Sequence, residues 1–252
     1  MRILIVNDDG TRGDKAHGTL LLRDKLIEAG HFVVAVLPLI DASGASFALN
    51  LNEEGMDVHE IEPYVYALNG TPVSCVIYGM HKFQSEVQKF DLVVSGPNIG
   101  DNKDLLILSS GTCSAALFAS LQYQIPAVAF SIETRGMEIA NWDAIIDTAI
   151  DIIHLIEKVN PKKGFINVNL PNLATKPSTV VITPFIPYLN IEGQEFRKDG
   201  LPRFSYRFTF PSDVLYNYDE IKMTFVSVET DVDLVELFST TKEEKIEEKK
   251  EG

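Results

Sequence analysis

Cysteine is almost missing from this chain, with only Cys75 and Cys113 among 252 residues. Two thiols cannot build a disulfide framework, and no C-x-x-C pair points to zinc or to redox work. Both lie in apolar stretches of helical pattern, which predicts buried and inert thiols. Long apolar runs are missing too: no segment approaches the ~20 residues needed to cross a bilayer. The start has no secretory pattern, because "ILIV" is short and runs directly into acids. These absences favour a cytoplasmic protein with no membrane partner. Positive charge is scarce, with 22 Lys and Arg against 36 Asp and Glu and a formal net charge of −14. Binding to a nucleic-acid backbone uses clustered Lys and Arg, so nucleic acid is not the expected partner. A small phosphorylated substrate stays open where a metal ion supplies the positive charge. The common nucleotide fingerprints are also missing. There is no G-x-x-x-x-G-K-[ST] loop and no G-x-G-x-x-G after the first apolar run, which argues against an NTPase or an NAD enzyme.

What is present is ordinary globular material, 45% hydrophobic and 23% charged. Apolar runs of strand length recur at 2–6, 32–37, 64–68, 91–95 and 127–131, and helical patterns lie between several of them. In "GTLLLRDKLIEAG" Leu21, Leu22, Leu26 and Ile27 share a face, and Gly30 closes the helix. "TPVSCVIYGMHKF" starts with Thr71 as N-cap and Pro72 at the first helical position. "TCSAALFASLQYQ" follows Gly111, and "NWDAIIDTAIDIIHLIEKV" is a long amphipathic helix. Strands alternating with helices predict an α/β, Rossmann-like parallel sheet with helices on both faces.

After about residue 170 prolines cluster, and "FSYRFTF" and "KMTFVSV" alternate as half-exposed strands do. The expected organisation is a catalytic core over 1–170, a β-rich extension over 171–241 that reaches a partner subunit, and a solvated or disordered charged tail over 242–252.

In such a sheet the loops after the strands meet at one edge, where ligands bind. "ILIV" ends in Asn7-Asp8-Asp9-Gly10, and adjacent like charges need solvent or a cation. The second loop offers Asp41, Ser43 and Ser46 around Gly44. The run "SGPNIGDN" carries Ser95, Asn98, Asp101 and Asn102. Carboxylates, a carboxamide and a hydroxyl are hard oxygen donors of the kind that hold Mg²⁺ or Mn²⁺, and no His or Cys cluster competes for softer metals. Ser110-Gly111-Thr112 opens a helix and offers backbone N–H groups under the positive end of its dipole, a seat for phosphate. Metal and anion sites on one edge suggest phosphoryl chemistry.

An ordered series of motifs resembles the SurE-type survival proteins. It comprises "ILIVNDDG" at 3–10, "SGAS" at 43–46, "NGTPVSCV" at 69–76, "DLVVSGPNIGDN" at 91–102, "SSGTCSAA" at 109–116, "IPAVAFS" at 125–131 and "NVNLP" at 167–171. The resemblance implies one divalent ion per subunit, held by Asp8, Asp9, Ser43 and Asn98. It implies hydrolysis of nucleoside 5′- and 3′-monophosphates, and of short polyphosphate. It also implies a homodimer or homotetramer joined through the C-terminal extension. Asp8 and Asp9 are then the expected catalytic residues, with Asn7, Ser95, Asn98, Ser110, Gly111 and Thr112 around the substrate.

Three positions depart from the family pattern. Leu39-Ile40 stands where Asp-Arg is usual, Pro97 where an aliphatic residue is usual, and Ser109 where tyrosine is common. These bear on substrate preference and rate. The base that deprotonates the attacking water stays open between an aspartate and the metal alone, and no histidine is assigned a role. A receiver domain needs an Asp ending its third strand, and the "LNLNEEGMDVHE" region is no such strand. A haloacid-dehalogenase-like phosphatase needs D-x-D, whereas here the run is Asn7-Asp8-Asp9. The remaining alternative is a catalytically silent scaffold that binds metal and nucleotide.

Overall fold

A computed structural model of the chain describes residues 1–51, 53–83, 89–177, 179–182, 190–199, 201–209 and 220–229. The first half alternates strand and helix. It runs β1 (Arg2–Val6), α1 (Asp14–Glu28), β2 (Phe32–Pro38), β3 (Val58–Glu62), β4 (Val65–Leu68) and α2 (Pro72–Lys82). Then come β5 (Leu92–Ile99), the single turn α3 (Leu106–Ser109), α4 (Gly111–Tyr123), β6 (Pro126–Glu133), α5 (Trp142–Val159) and β7 (Lys163–Pro171). Beyond β7 the described elements are strands: β8 (Val180–Ile182), β9 (Asn190–Lys198), β10 (Leu201–Thr209) and β11 (Ile221–Glu229).

Nine of the strands form one sheet in the order β3-β4-β2-β1-β5-β6-β7-β11-β8. The pairings β4–β2–β1–β5–β6–β7 are all parallel. Among the described pairings of this sheet, β3 on β4 and β11 on β7 run antiparallel. The chain winds outward from β1 through β2 and β4, then returns to start again at β5 on the other side of β1. The order therefore reverses between β1 and β5, and a parallel sheet opens a ligand crevice at such a switch point, outside the carboxyl ends of the strands.

The unbroken apolar run "ILIV" follows from burial on both faces. Ile3 and Ile5 face α1 and α5, packing with Leu22, Leu26, Ile146 and Ile153. Leu4 and Val6 point to the opposite layer and pack with Val76 of α2 and Ala115 and Ala119 of α4. Each fully buried aliphatic contributes roughly 1.5–3 kcal/mol. Local signals hold as well. Thr71 caps α2 through its side chain with Pro72 next, Asn141 caps α5, and Gly30 takes φ +87° just past α1. Among the described residues no helix is long and apolar enough to cross a membrane.

The C-terminal strands correct one expectation. The half-exposed reading of 222–228 fails over its first part, because Ile221, Lys222, Met223 and Thr224 are all buried. β11 lies inside the large sheet against β7, with Met223 opposite Val168 and in the same core cluster as Phe130. Its polar alternation misleads because Lys222 is buried against Glu133 rather than solvated. β9 and β10 form a separate two-stranded sheet. The charged tail over 242–252 lies outside the described residues.

Met223→Ala tests whether β11 belongs to the core. It is expected to lower stability to denaturant by about 2–5 kcal/mol in a single cooperative transition. A loss under about 0.5 kcal/mol, the range of surface substitutions, would show that β11 stands outside the core.

Candidate active site

The site is built where β1 and β5 end and α4 begins. β1 delivers the turn Asn7-Asp8-Asp9-Gly10, and all four residues are buried. Asn7 shapes this turn from below: its Nδ2 donates to the Gly10 carbonyl (3.1 Å) and to Thr19 Oγ1 (3.2 Å). Its Oδ1 is buried with no hydrogen-bond partner among the described residues.

The two aspartates point to different neighbours. Asp8 reaches the first turn of α4, where its carboxylate accepts from the Thr112 N–H (3.1 Å) and from the Thr112 hydroxyl. Asp9 accepts from the Ile99 N–H at the end of β5 (3.0 Å), next to Asn98. One strand end thus holds the helix N-terminus with one acid and the neighbouring strand end with the other. Burial pushes the Asp8 carboxyl above its ordinary range; the Thr112 bonds oppose this and the charge of Asp41 adds to it. Asp8 is thus buried beside a second acid in a setting that disfavours its negative charge, which is the situation a cation relieves.

Glycines permit these approaches. A Cβ on Gly111 would sit 2.9 Å from Asp8 Cβ and 3.0 Å from its Oδ2. Gly10, at φ +83°, lets the second loop pass, since a Cβ there would lie 2.9 Å from the carbonyl carbon of Ile40. Main-chain bonds then fix that loop whatever its side chains are. Leu39 N–H donates to Leu68 O (2.7 Å), and Ala42 N–H donates to the carbonyl of Asp8 itself (2.8 Å). Ser46 Oγ donates to Leu108 O (2.6 Å). The Leu39-Ile40 departure is accommodated this way, and exposed Ser43 is brought beside the acidic turn by its neighbour Ala42.

Asn98 completes the group. Its Nδ2 donates to Gly100 O (2.7 Å), so its side-chain oxygen is the atom suited to a cation. Carboxylates, an amide oxygen and a hydroxyl form the all-oxygen set that hard divalent ions take. Among the described residues no group of three or more His, Cys, Asp or Glu offers a competing centre. The donor chemistry fits such an ion.

Other expected residues stand differently. Ser95 is fully buried inside β5, paired in register with Val6 and Ala129, so it lies beneath the site and presents no surface. Asn7 is likewise a supporting residue. Of the three amides at the helix start, Ser110 N–H is spent on Leu106 O (3.0 Å) and Thr112 N–H on Asp8. Gly111, at the first helical position, carries one of the N–H groups that a helix leaves without an internal acceptor. The Ser110 hydroxyl caps α4 by accepting from Cys113 N–H (3.1 Å). Both cysteines are buried free thiols, and Cys113 Sγ donates to Asn167 Oδ1 (3.3 Å). Burial pushes the Cys113 thiol up to about 12, with Asp8 adding to the rise and Ser110 opposing it.

A buried polar network behind the site was not legible in advance. Asn102 N–H donates to Asn169 Oδ1 (2.8 Å), and its Nδ2 donates to Ser131 Oγ (2.8 Å). Its carbonyl accepts from Asn167 (2.8 Å) and Asn169 (2.9 Å). The run "NVNLP" carried the signal, since two asparagines two apart in a strand share one face.

Against this geometry stand the comparisons. A family model described as Survival protein SurE matches residues 3–187. Among similar proteins is the 5′-nucleotidase SurE of Geobacter metallireducens, 38% identical over 174 residues, which are 69% of this chain and 66% of that protein. Another is the 5′-nucleotidase SurE of Lawsonia intracellularis, 34% identical over 179 residues, which are 70% of this chain and 68% of that protein. The match thus spans about two thirds of those relatives' length. A crystal structure of the SurE protein from Aquifex aeolicus superposes with a TM-score of 0.74 at 24% identity, covering 97% of this chain and 100% of that one, and supports the fold.

Gly111→Ala is expected to push α4 away from Asp8 and to cost about 1–3 kcal/mol by overpacking. Denaturant unfolding checks this, and a change within about 0.5 kcal/mol would mean that the close approach is not required.

Proposed function

The chain belongs to the SurE survival-protein family, and we propose that it is a metal-dependent phosphomonoesterase that releases phosphate from nucleoside 5′-monophosphates, with 3′-monophosphates and short polyphosphate as further substrates. The observation that carries this reading is the pair of buried acids at the β1–β5 switch point, with Asn98 on one side and the N-terminus of α4 on the other. The 5′-nucleotidase name of the similar proteins supports the substrate class.

Asp8, Asp9, Ser43 and Asn98 are the residues that would hold one divalent ion, Mg²⁺ or Mn²⁺. Such an ion, when bound, supplies Lewis-acid polarisation of a phosphoryl oxygen and acidifies water. The chain's own residues do the rest. Gly111 N–H and the positive end of the α4 dipole face the phosphate oxygens, while Asp8, anchored by Thr112, keeps that helix end against the acidic turn. Because these groups are held before substrate arrives, little reorganisation is needed as charge shifts in the transition state. Asp9, fixed by Ile99 N–H, is oriented to bind cation or to accept a proton from the attacking water. Asn7 and Ser95 support the turn and the strand from within the sheet.

The assembly is part of the same proposal. β9 and β10 form a hairpin that exposes Phe196, Leu201 and Phe204, at 42%, 59% and 64% of their surface. An isolated two-stranded hairpin is marginal in water, so a second copy of the chain is the fitting support for it. Within the extension over 171–241 we assign the oligomerisation role to β9 and β10, because β8 and β11 join the sheet of the 1–170 core. Free, buried thiols suit a reducing compartment, which we take as the cytoplasm.

Phosphate release from a panel of nucleoside 5′- and 3′-monophosphates and polyphosphate tests the activity. Wild type with Mg²⁺ or Mn²⁺ is expected to turn over, EDTA to stop it, and Asp9→Ala to cut kcat/KM by at least about 10²-fold. A folded wild type that releases no phosphate with either metal leaves the silent scaffold as the reading. Phe204→Glu is expected to shift the mass in light scattering toward the monomer, and an unchanged mass would remove the hairpin from the interface.

A further inference from the structure

One stretch of chain carries both halves of the site: it starts at Asn98 and ends in the first turn of α4. Near its middle lies a buried chain of charges that the phosphomonoesterase reading does not use. Lys103 Nζ is 2.8 Å from Asp101 and 3.0 Å from Glu133 Oε1, the last residue of β6. The other oxygen of Glu133 is 3.0 Å from Lys222 Nζ on β11, which also donates to the Glu220 carbonyl (3.3 Å). Lys103, Glu133 and Lys222 are exposed by only 5%, 3% and 3%.

We infer that the Lys103–Glu133–Lys222 chain is a positioning device for the active site, fixing the middle of segment 98–112 against β6 and β11. It thereby sets the spacing between Asn98 and the helix start at Ser110–Thr112.

Three features support this. Burying charges is costly, and replacing a buried ion pair by well-packed apolar residues is often neutral or stabilising, so stability alone does not call for charges here. What charges and hydrogen bonds add over apolar packing is direction and fixed distance. Within the chain two acids face two lysines, so each of these buried charges has an opposite partner. Burial pulls the Lys103 ammonium down, yet Asp101 and Glu133 outweigh it and hold the group charged. Finally, the neighbouring Asn102 is itself bonded to β6 and β7, so the clamp acts on a point that is already stiff. Fixing the segment at this point holds Asn98 and the helix start in relation to β6 and β11. The kinetic consequence rests on the phosphomonoesterase reading, whereas the structural one does not.

The test compares wild type with Glu133→Gln and with the apolar triple Lys103→Met, Glu133→Leu, Lys222→Met. Lys25→Met is the control, because it breaks an ion cluster with Asp143 and Asp147 that joins α1 to α5 far from segment 98–112. Three readouts are taken: amide hydrogen exchange over 98–112, Mn²⁺ binding by calorimetry, and kcat and KM for adenosine 5′-monophosphate. The triple is expected to keep a cooperative fold, to exchange about tenfold faster over 98–112, and to lose about 10- to 100-fold in kcat with KM within about threefold. Lys25→Met should change none of these. A folded triple with wild-type exchange and kcat overturns the inference, since a merely structural role is met by apolar packing. Should the triple not fold, Glu133→Gln decides: unchanged exchange over 98–112 overturns the inference and faster exchange upholds it. An inactive wild type would count against the phosphomonoesterase reading alone, and the exchange measurement would still decide this one.

Discussion

The contact between the Asp8 carboxylate and the first turn of α4 is what the rest of the site depends on. It joins residues 104 positions apart and locks the end of β1 to the start of a helix that follows β5. A negative group at a helix N-terminus is favourable, and here it is also buried, so the attraction is little screened. The same burial disfavours the ionised acid. Structure and chemistry therefore pull on one carboxylate: the helix wants the charge present, and the interior tolerates it only with positive partners nearby. The absence of a side chain at Gly111 is what allows the two elements to meet. Asp9 repeats the pattern toward β5, so two adjacent residues orient both walls of the crevice.

Much of the sheet was legible in the sequence because burial on both faces leaves an unbroken apolar run, as in Ile3–Val6, and because caps such as Thr71-Pro72 have a fixed chemistry. The antiparallel edge strand β3 was not. All five of its residues are exposed, so neither apolarity nor alternation announces it. β7 was hidden by Asn167 and Asn169, polar residues inside a buried strand whose partners lie 65 and 67 positions away. β11 was visible as a strand but misjudged in exposure, since Lys222 reads as a solvent-facing residue until Glu133 is placed beside it.

The site divides in the same way. That Asp8, Asp9 and Asn98 share a sheet edge was readable from strand order and loop chemistry. Which of the neighbouring residues face a ligand was not. Ser95 sits one pleat too deep to reach it, and Asn7 spends its amide on the turn. The helix start proved less open than its sequence suggests, because two of its three amides already have acceptors within the protein. Exposure and prior commitment of a donor are properties of the fold, and a motif records neither.

The place of β11 bears on how the chain reaches this state. Every strand that forms the crevice has been synthesised by residue 99, and α4 is complete by residue 123. The partner that pairs with β7 is the last of the described strands, after an intervening stretch of some fifty residues between Pro171 and Ile221. Closing such a loop costs entropy before the pairing repays it. During synthesis the outer edge of β7 is thus open, and Glu133 has yet to meet Lys222. An unpaired strand edge is also the surface on which neighbouring chains associate wrongly. The late return of β11 makes one pairing both cover this edge and complete the charge chain behind the active site.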